Sequence, residues 1–152
     1  MQSEEKRMSG EMKNDNGGWD YSSDPNFYRY YEEQSLSLAT LERFATVCDK
    51  VLRLLEDHDK TSAARVLNVV DIGCGAGTQC RIWAERGHNV FGIDVNEPLI
   101  ELARRRAQEA GLAIRFETGS ATQLPFKDES MDVCLLPELL EHVEDWQVCL
   151  CG

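Results

Sequence analysis

The sequence predicts an α/β fold, an open doubly wound and mostly parallel sheet layered with helices. Three observations lead there. Short β-branched runs, at 66–72 and 89–94, alternate with segments whose apolar residues recur at helical spacing. A glycine cluster directly follows the first run, as where a strand turns into a helix beside a ligand. The second run ends in an acid, Asp94, about twenty residues beyond that cluster.

Bulk properties narrow the class. With 152 residues, 42% of them hydrophobic and 28% charged, the chain has material for one domain with a real core. No run approaches the roughly eighteen apolar residues that a membrane span needs, and the first residues lack the apolar stretch of a secretion signal. The expectation is a cytoplasmic protein. Its six cysteines then read as reduced thiols, and Cys149 with Cys151 has no second Cys or His pair at zinc-like spacing, so no metal site is expected. A net charge of −11 argues against nucleic acid as a partner. The basic cluster Arg104, Arg105 and Arg106 falls late in a predicted helix, where cations complement the helix dipole.

The elements follow in order. Residues 1–24 are polar, rich in Gly, Asn, Asp and Ser, and read as a disordered tail. An aromatic cluster, Phe27, Tyr28, Tyr30 and Tyr31, leads into a helix with its apolar stripe at Leu41, Phe44, Ala45, Cys48, Val51, Leu52 and Leu55. Residues 56–64 are a polar connection. A strand at 66–72 has the near-continuous apolar character of one buried on both faces. A helix from about Thr78 to Arg86 stops at Gly87, and a second strand covers 89–94. Asn96 is placed to cap the next helix, with Glu97 and Pro98 in its first turn and Gly111 at its end. Strands at 113–117 and 131–136 come next, then a helical stretch at 138–143. No internal repeat is visible.

The glycine loop, Asp71-Ile72-Gly73-Cys74-Gly75-Ala76-Gly77, carries the chemistry. Without Cβ atoms the backbone turns tightly and a ligand approaches closely. The spacing is G-x-G-x-G, with Thr78 beyond it, whereas a dinucleotide fingerprint G-x-G-x-x-G places its glycine later to support pyrophosphate binding at a helix N-terminus. A nucleoside without phosphates suits this loop better. Asp94 is placed to accept hydrogen bonds from ribose hydroxyls.

In these residues the chain resembles the class I S-adenosylmethionine-dependent methyltransferases, in particular the type 11, ubiquinone-biosynthesis-like subgroup. Val70 through Thr78 resembles their first motif, and Gly92-Ile93-Asp94-Val95-Asn96 the second. Ala121-Thr122-Gln123-Leu124-Pro125-Phe126 is similar to their adenine-side segment, and residues 132–143 to the region of their fourth strand, which often reads L-E-H-V. The resemblance covers roughly residues 66–146.

That resemblance implies a Rossmann-like, three-layer αβα domain and S-adenosyl-L-methionine as cofactor. It implies that Asp71, Gly73, Cys74, Gly75 and Gly77 line the methionine moiety, that Asp94 holds the ribose and that Val95 packs on adenine. Ser120 and Ala121 would border the adenine amine, with Ser120 standing where many members carry Asp; Leu136 and Pro137 would close the site near the methyl donor. His142 is the candidate base, if the acceptor must lose a proton. Residues 25–64 would form an N-terminal helical lid, and 65–152 a partial cofactor-binding domain.

The family's sheet has seven strands and this sequence supplies four, so a C-terminal truncation is expected. A fourth strand left as an apolar edge would favour self-association. The expected activity is methyl transfer to a small-molecule acceptor. The alternatives are a non-catalytic cofactor-binding fragment and an NAD(P)-dependent oxidoreductase, the latter disfavoured by Thr78.

Overall fold

A computed structural model describes residues 25–58 and 65–137. The elements are α1 (Pro25–Gln34), α2 (Leu38–His58), β1 (Asn68–Ile72), α3 (Thr78–Glu85), β2 (Asn89–Asp94), α4 (Glu97–Glu109), β3 (Ile114–Thr118) and β4 (Val133–Leu135). The four strands form one sheet in the order β3-β2-β1-β4, and every pairing is parallel. Helices α3 and α4 link β1 to β2 and β2 to β3, while β3 and β4 are joined by a connection without a helix, and each parallel pairing is reached through a crossover. The expected α/β, Rossmann-like architecture is the one observed.

Register and alternation sort the apolar residues onto two faces. Val69 and Val70 pair with Val90 and Phe91 on one side and with Val133 and Cys134 on the other. Side chains alternate along each strand, so Val69, Val90, Phe116, Val133 and Leu135 share a cluster with Cys48, Cys80, Trp83 and Ile100 from the helices. The opposite face holds Val70, Ile72 and Ile93. There Ala121, Leu124, Phe126 and Met131 of the β3–β4 connection pack against the sheet, and Phe126 meets Phe91 edge-on at 5.5 Å. Among the described residues, helices thus layer one face and this connection covers the other.

Boundaries shift for local reasons. β4 is only three residues long, because Asp132 fixes its start beside β1. The Asp132 N–H donates to the Asn68 carbonyl at 2.8 Å, and its carboxylate accepts from the Asn68 N–H and the Arg65 guanidinium, both at 2.7 Å. β1 begins at Asn68 and not Val66, which lies outside the ladder and is exposed. The largest departure is the N-terminal region. Two helices stand where one was expected, separated at Ser35–Ser37, and the Ser37 hydroxyl accepts from the Thr40 N–H as a cap for α2. α2 runs on through His58, past the expected start of the polar connection at Glu56. The disordered-tail and 138–143 helix expectations lie outside the described residues.

The other caps are as the sequence indicates. The Asn96 side chain accepts from the Leu99 N–H at the head of α4 with Pro98 behind it. Gly87 and Gly111 follow α3 and α4 with φ of 85° and 66°, the left-handed conformation that closes helices with glycine.

Two glycines serve packing. A Cβ on Gly92 would lie 2.6 Å from Phe116 and 2.9 Å from Cys74 Sγ; one on Gly77 would lie 2.8 Å from Phe116. The Phe116 ring therefore fits only because both are glycine, and it holds α3 close over β2. This is the helix–sheet approach that a third loop glycine permits in dinucleotide sites. Gly77 supplies it here one residue earlier.

Candidate functional site

The loop between β1 and α3 is built from backbone bonds first. Gly73 and Cys74 N–H both donate to the Ile93 carbonyl, at 2.7 and 3.0 Å, and Gly77 N–H donates to the Cys74 carbonyl at 2.9 Å. Gly73, Gly75 and Gly77 have φ of 78°, 51° and 74°, which side-chain-bearing residues rarely adopt. The loop is thereby hung on the end of β2.

Asp94 completes it. One carboxylate oxygen accepts from Gly75 N–H at 2.8 Å, and the other from Asn96 N–H at 2.9 Å. The half-buried carboxylate bridges the glycine loop to the turn that starts α4. Each oxygen retains a lone pair, so the group can still accept from a vicinal diol.

The remaining candidates divide by position. Val95, next to Asp94, is 73% exposed, an apolar side chain held out at the carboxyl end of the sheet. Ser120 and Thr122 share a hydrogen bond at 2.8 Å in an exposed turn, while Ala121 is half-buried against the second apolar cluster. Leu136 and Pro137, just past β4, are half-buried. These groups all follow the carboxyl ends of strands, where open α/β sheets bind ligands. His142 lies outside the described residues.

Cys74 and Asp71 sit deeper than the motif alone suggested. The Cys74 thiol is buried against Gly92 and donates to the Gly75 carbonyl of the loop at 3.8 Å. Asp71 is 1% exposed; one of its oxygens accepts from the Cys80 thiol at 3.4 Å, and Oδ1 accepts nothing among the described residues. Burial raises its pKa from 3.8 to about 7, with the Cys80 hydrogen bond lowering it and the nearby Asp94 charge raising it. The sequence placed this acid in a strand expected to be buried on both faces, and its burial agrees with that; the Cys80 partner was not foreseen.

α1 reaches the loop through tyrosine contacts that the sequence did not specify. Its Tyr31 hydroxyl lies where a Cβ on Gly75 would be, 2.2 Å away, and its Tyr28 hydroxyl donates to the Asn96 side chain at 3.3 Å. A separate groove of about 620 Å³ lies between α1, α3 and α4, floored by Leu102, Ala103 and Phe116. Ala76, Gly77 and Thr78 at the end of the loop line it, while Asp71, Gly73, Gly75, Asp94 and Val95 do not. It sits on the helix side of the loop, away from the strand ends.

A glycine loop on a parallel sheet, bridged by an acid at the end of the neighbouring strand, defines a nucleoside-binding α/β domain. Residues 70–151 match the family described as Methyltransferase domain (Methyltransf_11), and the chain belongs to that family. It is 36% identical over 105 residues to a ubiquinone biosynthesis O-methyltransferase of Bartonella bacilliformis, covering 68% of this chain and 42% of that protein. Among solved structures it is similar to the YcgJ protein of Bacillus subtilis, with 32% identity and a TM-score of 0.55, over 65% of this chain and 42% of that one. Magnesium protoporphyrin IX methyltransferase of Synechocystis, solved with bound SAH, shares the fold with a TM-score of 0.62 at 21% identity, over 84% of this chain and 61% of that one. The chain spans less than half the length of the curated relatives it matches.

The cofactor implied by the family is S-adenosylmethionine, and the residues present fit it. The buried Asp71 Oδ1 lacks a donor, which an ammonium would supply; Asp94 can take a diol, and Val95 offers an apolar surface. No phosphate-binding feature is needed.

The raised pKa of Asp71 has a defined sign for stability. The folded state keeps a proton that the unfolded chain releases above about 3.8, so this group's contribution is complete below that pH and is lost as pH rises through about 7. Asp71→Asn, which removes the buried charge, should therefore raise Tm by several degrees more at about pH 8 than at about pH 5. Thermal melts of both proteins at the two pH values check it, and an equal change at both would contradict the burial account.

Proposed function

We propose that this chain is the cofactor-binding part of a methyltransferase that transfers the methyl group of S-adenosylmethionine to a small-molecule acceptor. The observation that carries the proposal is the Asp94 bridge, which joins Gly75 and Asn96 and leaves acceptor capacity at the strand ends. The ribose diol would donate to Asp94, adenine would lie on Val95 with Ser120 and Ala121 at its edge, and the methionine ammonium would meet Asp71. Gly73, Cys74, Gly75 and Gly77 would contribute backbone, with Leu136 and Pro137 beside the methyl donor. α1 would act as the lid over this arrangement.

Bound there, S-adenosylmethionine supplies a sulfonium methyl that is already electrophilic. The protein's task is orientation: the loop and Asp94 fix the donor, so that an acceptor atom can be held in line with the departing sulfur. His142 is the candidate for taking a proton from the acceptor. The relative from Bartonella bacilliformis is named for O-methylation in ubiquinone biosynthesis, which supports an oxygen acceptor on a quinone-like or other small metabolite here.

No described helix is long and apolar enough to cross a membrane. The outer edge of β4 has no strand beside it among the described residues, and we propose that two copies pair there. A sedimentation mass that stays at 17.2 kDa at every concentration would refute that pairing.

Isothermal calorimetry with S-adenosylmethionine and NAD tests the cofactor assignment. Binding of the first alone is expected, with affinity rising about tenfold between about pH 6 and 8 as Asp71 ionises to meet the ammonium. Asp94→Ala should abolish measurable binding. Binding of NAD alone would overturn the assignment, and binding without methyl transfer to any phenolic or amine acceptor would favour a non-catalytic module.

A further inference from the structure

A polar contact lies behind the glycine loop, in a layer that is otherwise apolar. Asp71 sits on the face of β1 that also carries Val69, the face covered by helices. There α3 buries two polar neighbours, Gln79 at 2% and Cys80 at 0% exposure. Of these, only the thiol reaches the acid, donating to Asp71 Oδ2 at 3.4 Å. The Gln79 amide, the stronger donor by type, bonds nothing among the described residues. The two oxygens of Asp71 are thereby made unlike: α3 holds Oδ2, and Oδ1 remains for a ligand.

Cys80 is suited to this place by its proton. Burial holds its pKa well above 9, so the thiol stays a donor across the range in which Asp71 titrates, around 7. Few other groups act on the acid. Asp94, at the end of β2, raises its pKa by charge. Cys74 in the loop bonds the Cys80 thiol and donates to the Gly75 carbonyl. α2 adds Cys48 to the layer, kept neutral by burial that raises its pKa to about 11. Leu135 of β4, in register with Asp71, is uncharged. Among the described residues no cation offsets the Asp71 charge, and the side-chain hydrogen bond it accepts comes from Cys80.

We infer that Cys80 is a positioning residue that acts on the cofactor through Asp71: its thiol anchors one carboxylate oxygen and stabilises the charged form that an ammonium would meet. The inference rests on the cofactor reading above. A hydrogen bond to the carboxylate favours ionisation, while burial and the Asp94 charge oppose it. Without the thiol, the carboxyl keeps its proton to higher pH, and a cofactor arriving at pH 7 meets a neutral acid.

The test follows the Asp71 carboxyl of the full chain by carbon-13 NMR against pH. It also measures affinity at pH 7 for S-adenosylmethionine and for 5′-methylthioadenosine, which lacks the ammonium. Cys80→Ala and Cys80→Val remove the donor, the second while filling its space. Each should raise the Asp71 midpoint by about one pH unit and weaken S-adenosylmethionine about fivefold, with methylthioadenosine held within about twofold. That retained affinity shows that the variants are folded. Cys80→Ser keeps a donor and should return the midpoint to within about half a unit of native. Gln79→Leu, an equally buried change one residue away, should leave the midpoint in place. A midpoint that loss of the thiol does not move, or that Gln79→Leu moves as far, overturns the inference, and so does equal weakening of both probes. A native chain that binds neither probe refutes the cofactor reading and the positioning role with it, while the Asp71 titration still reads the thiol bond.

Discussion

The Asp94 carboxylate is the constraint on which the site depends. A glycine-rich loop pays a large entropic cost to hold one shape, because each glycine has more backbone freedom to lose than any other residue. Three left-handed glycines in five residues would not keep a single conformation unaided. The loop is held by the Ile93 carbonyl, which takes two amides, and by Asp94, which takes a third and ties it to the α4 turn. A hydrogen bond to a charged acceptor is worth about 1.5–3 kcal/mol, more than a neutral one, so the acid is suited to this task. One side chain thereby both shapes the loop and presents an acceptor to a ligand.

The rest of the described fold supports that junction. Phe116 fills the space left by Gly77 and Gly92 and brings α3 down on the sheet, which sets where the loop must end. Asn96 caps α4 with its side chain while giving its amide to Asp94, so the start of the helix is fixed to the acid. Arg106 and Thr78 then locate α1 across the same corner. Packing behind the loop, capping beside it and the helix above it converge on one place at the carboxyl end of β1 and β2.

Much of this was legible in the sequence, and the missing parts have a common cause. The parallel sheet, the glycine turn, the Asn96 cap and the acid at Asp94 are local patterns, carried by residue type and spacing within a few turns of chain. The boundary at Ser35–Ser37 was marked by Ser37, a capping residue, but the longer apolar stripe from Leu41 onward concealed the separate α1. The Cys80 partner of Asp71 and the packing of Phe116 on Gly77 and Gly92 join residues that only the folded chain brings near. The contacts of Tyr28 and Tyr31 cross more than forty residues of sequence, and no spacing rule reaches that far.

We propose that the ligand site lies on the strand-end side of the glycine loop, organised by Asp94, and not in the groove on its helix side. Amide-resolved NMR during titration with S-adenosylhomocysteine tests this directly. The account predicts that the amides of Gly73, Gly75, Val95 and Asn96 shift together along one saturable curve, while those of Ala107, Glu109 and Ala110 in the groove stay in place. Shifts confined to the groove residues, with the Gly75 and Asn96 amides unmoved at saturation, would contradict it.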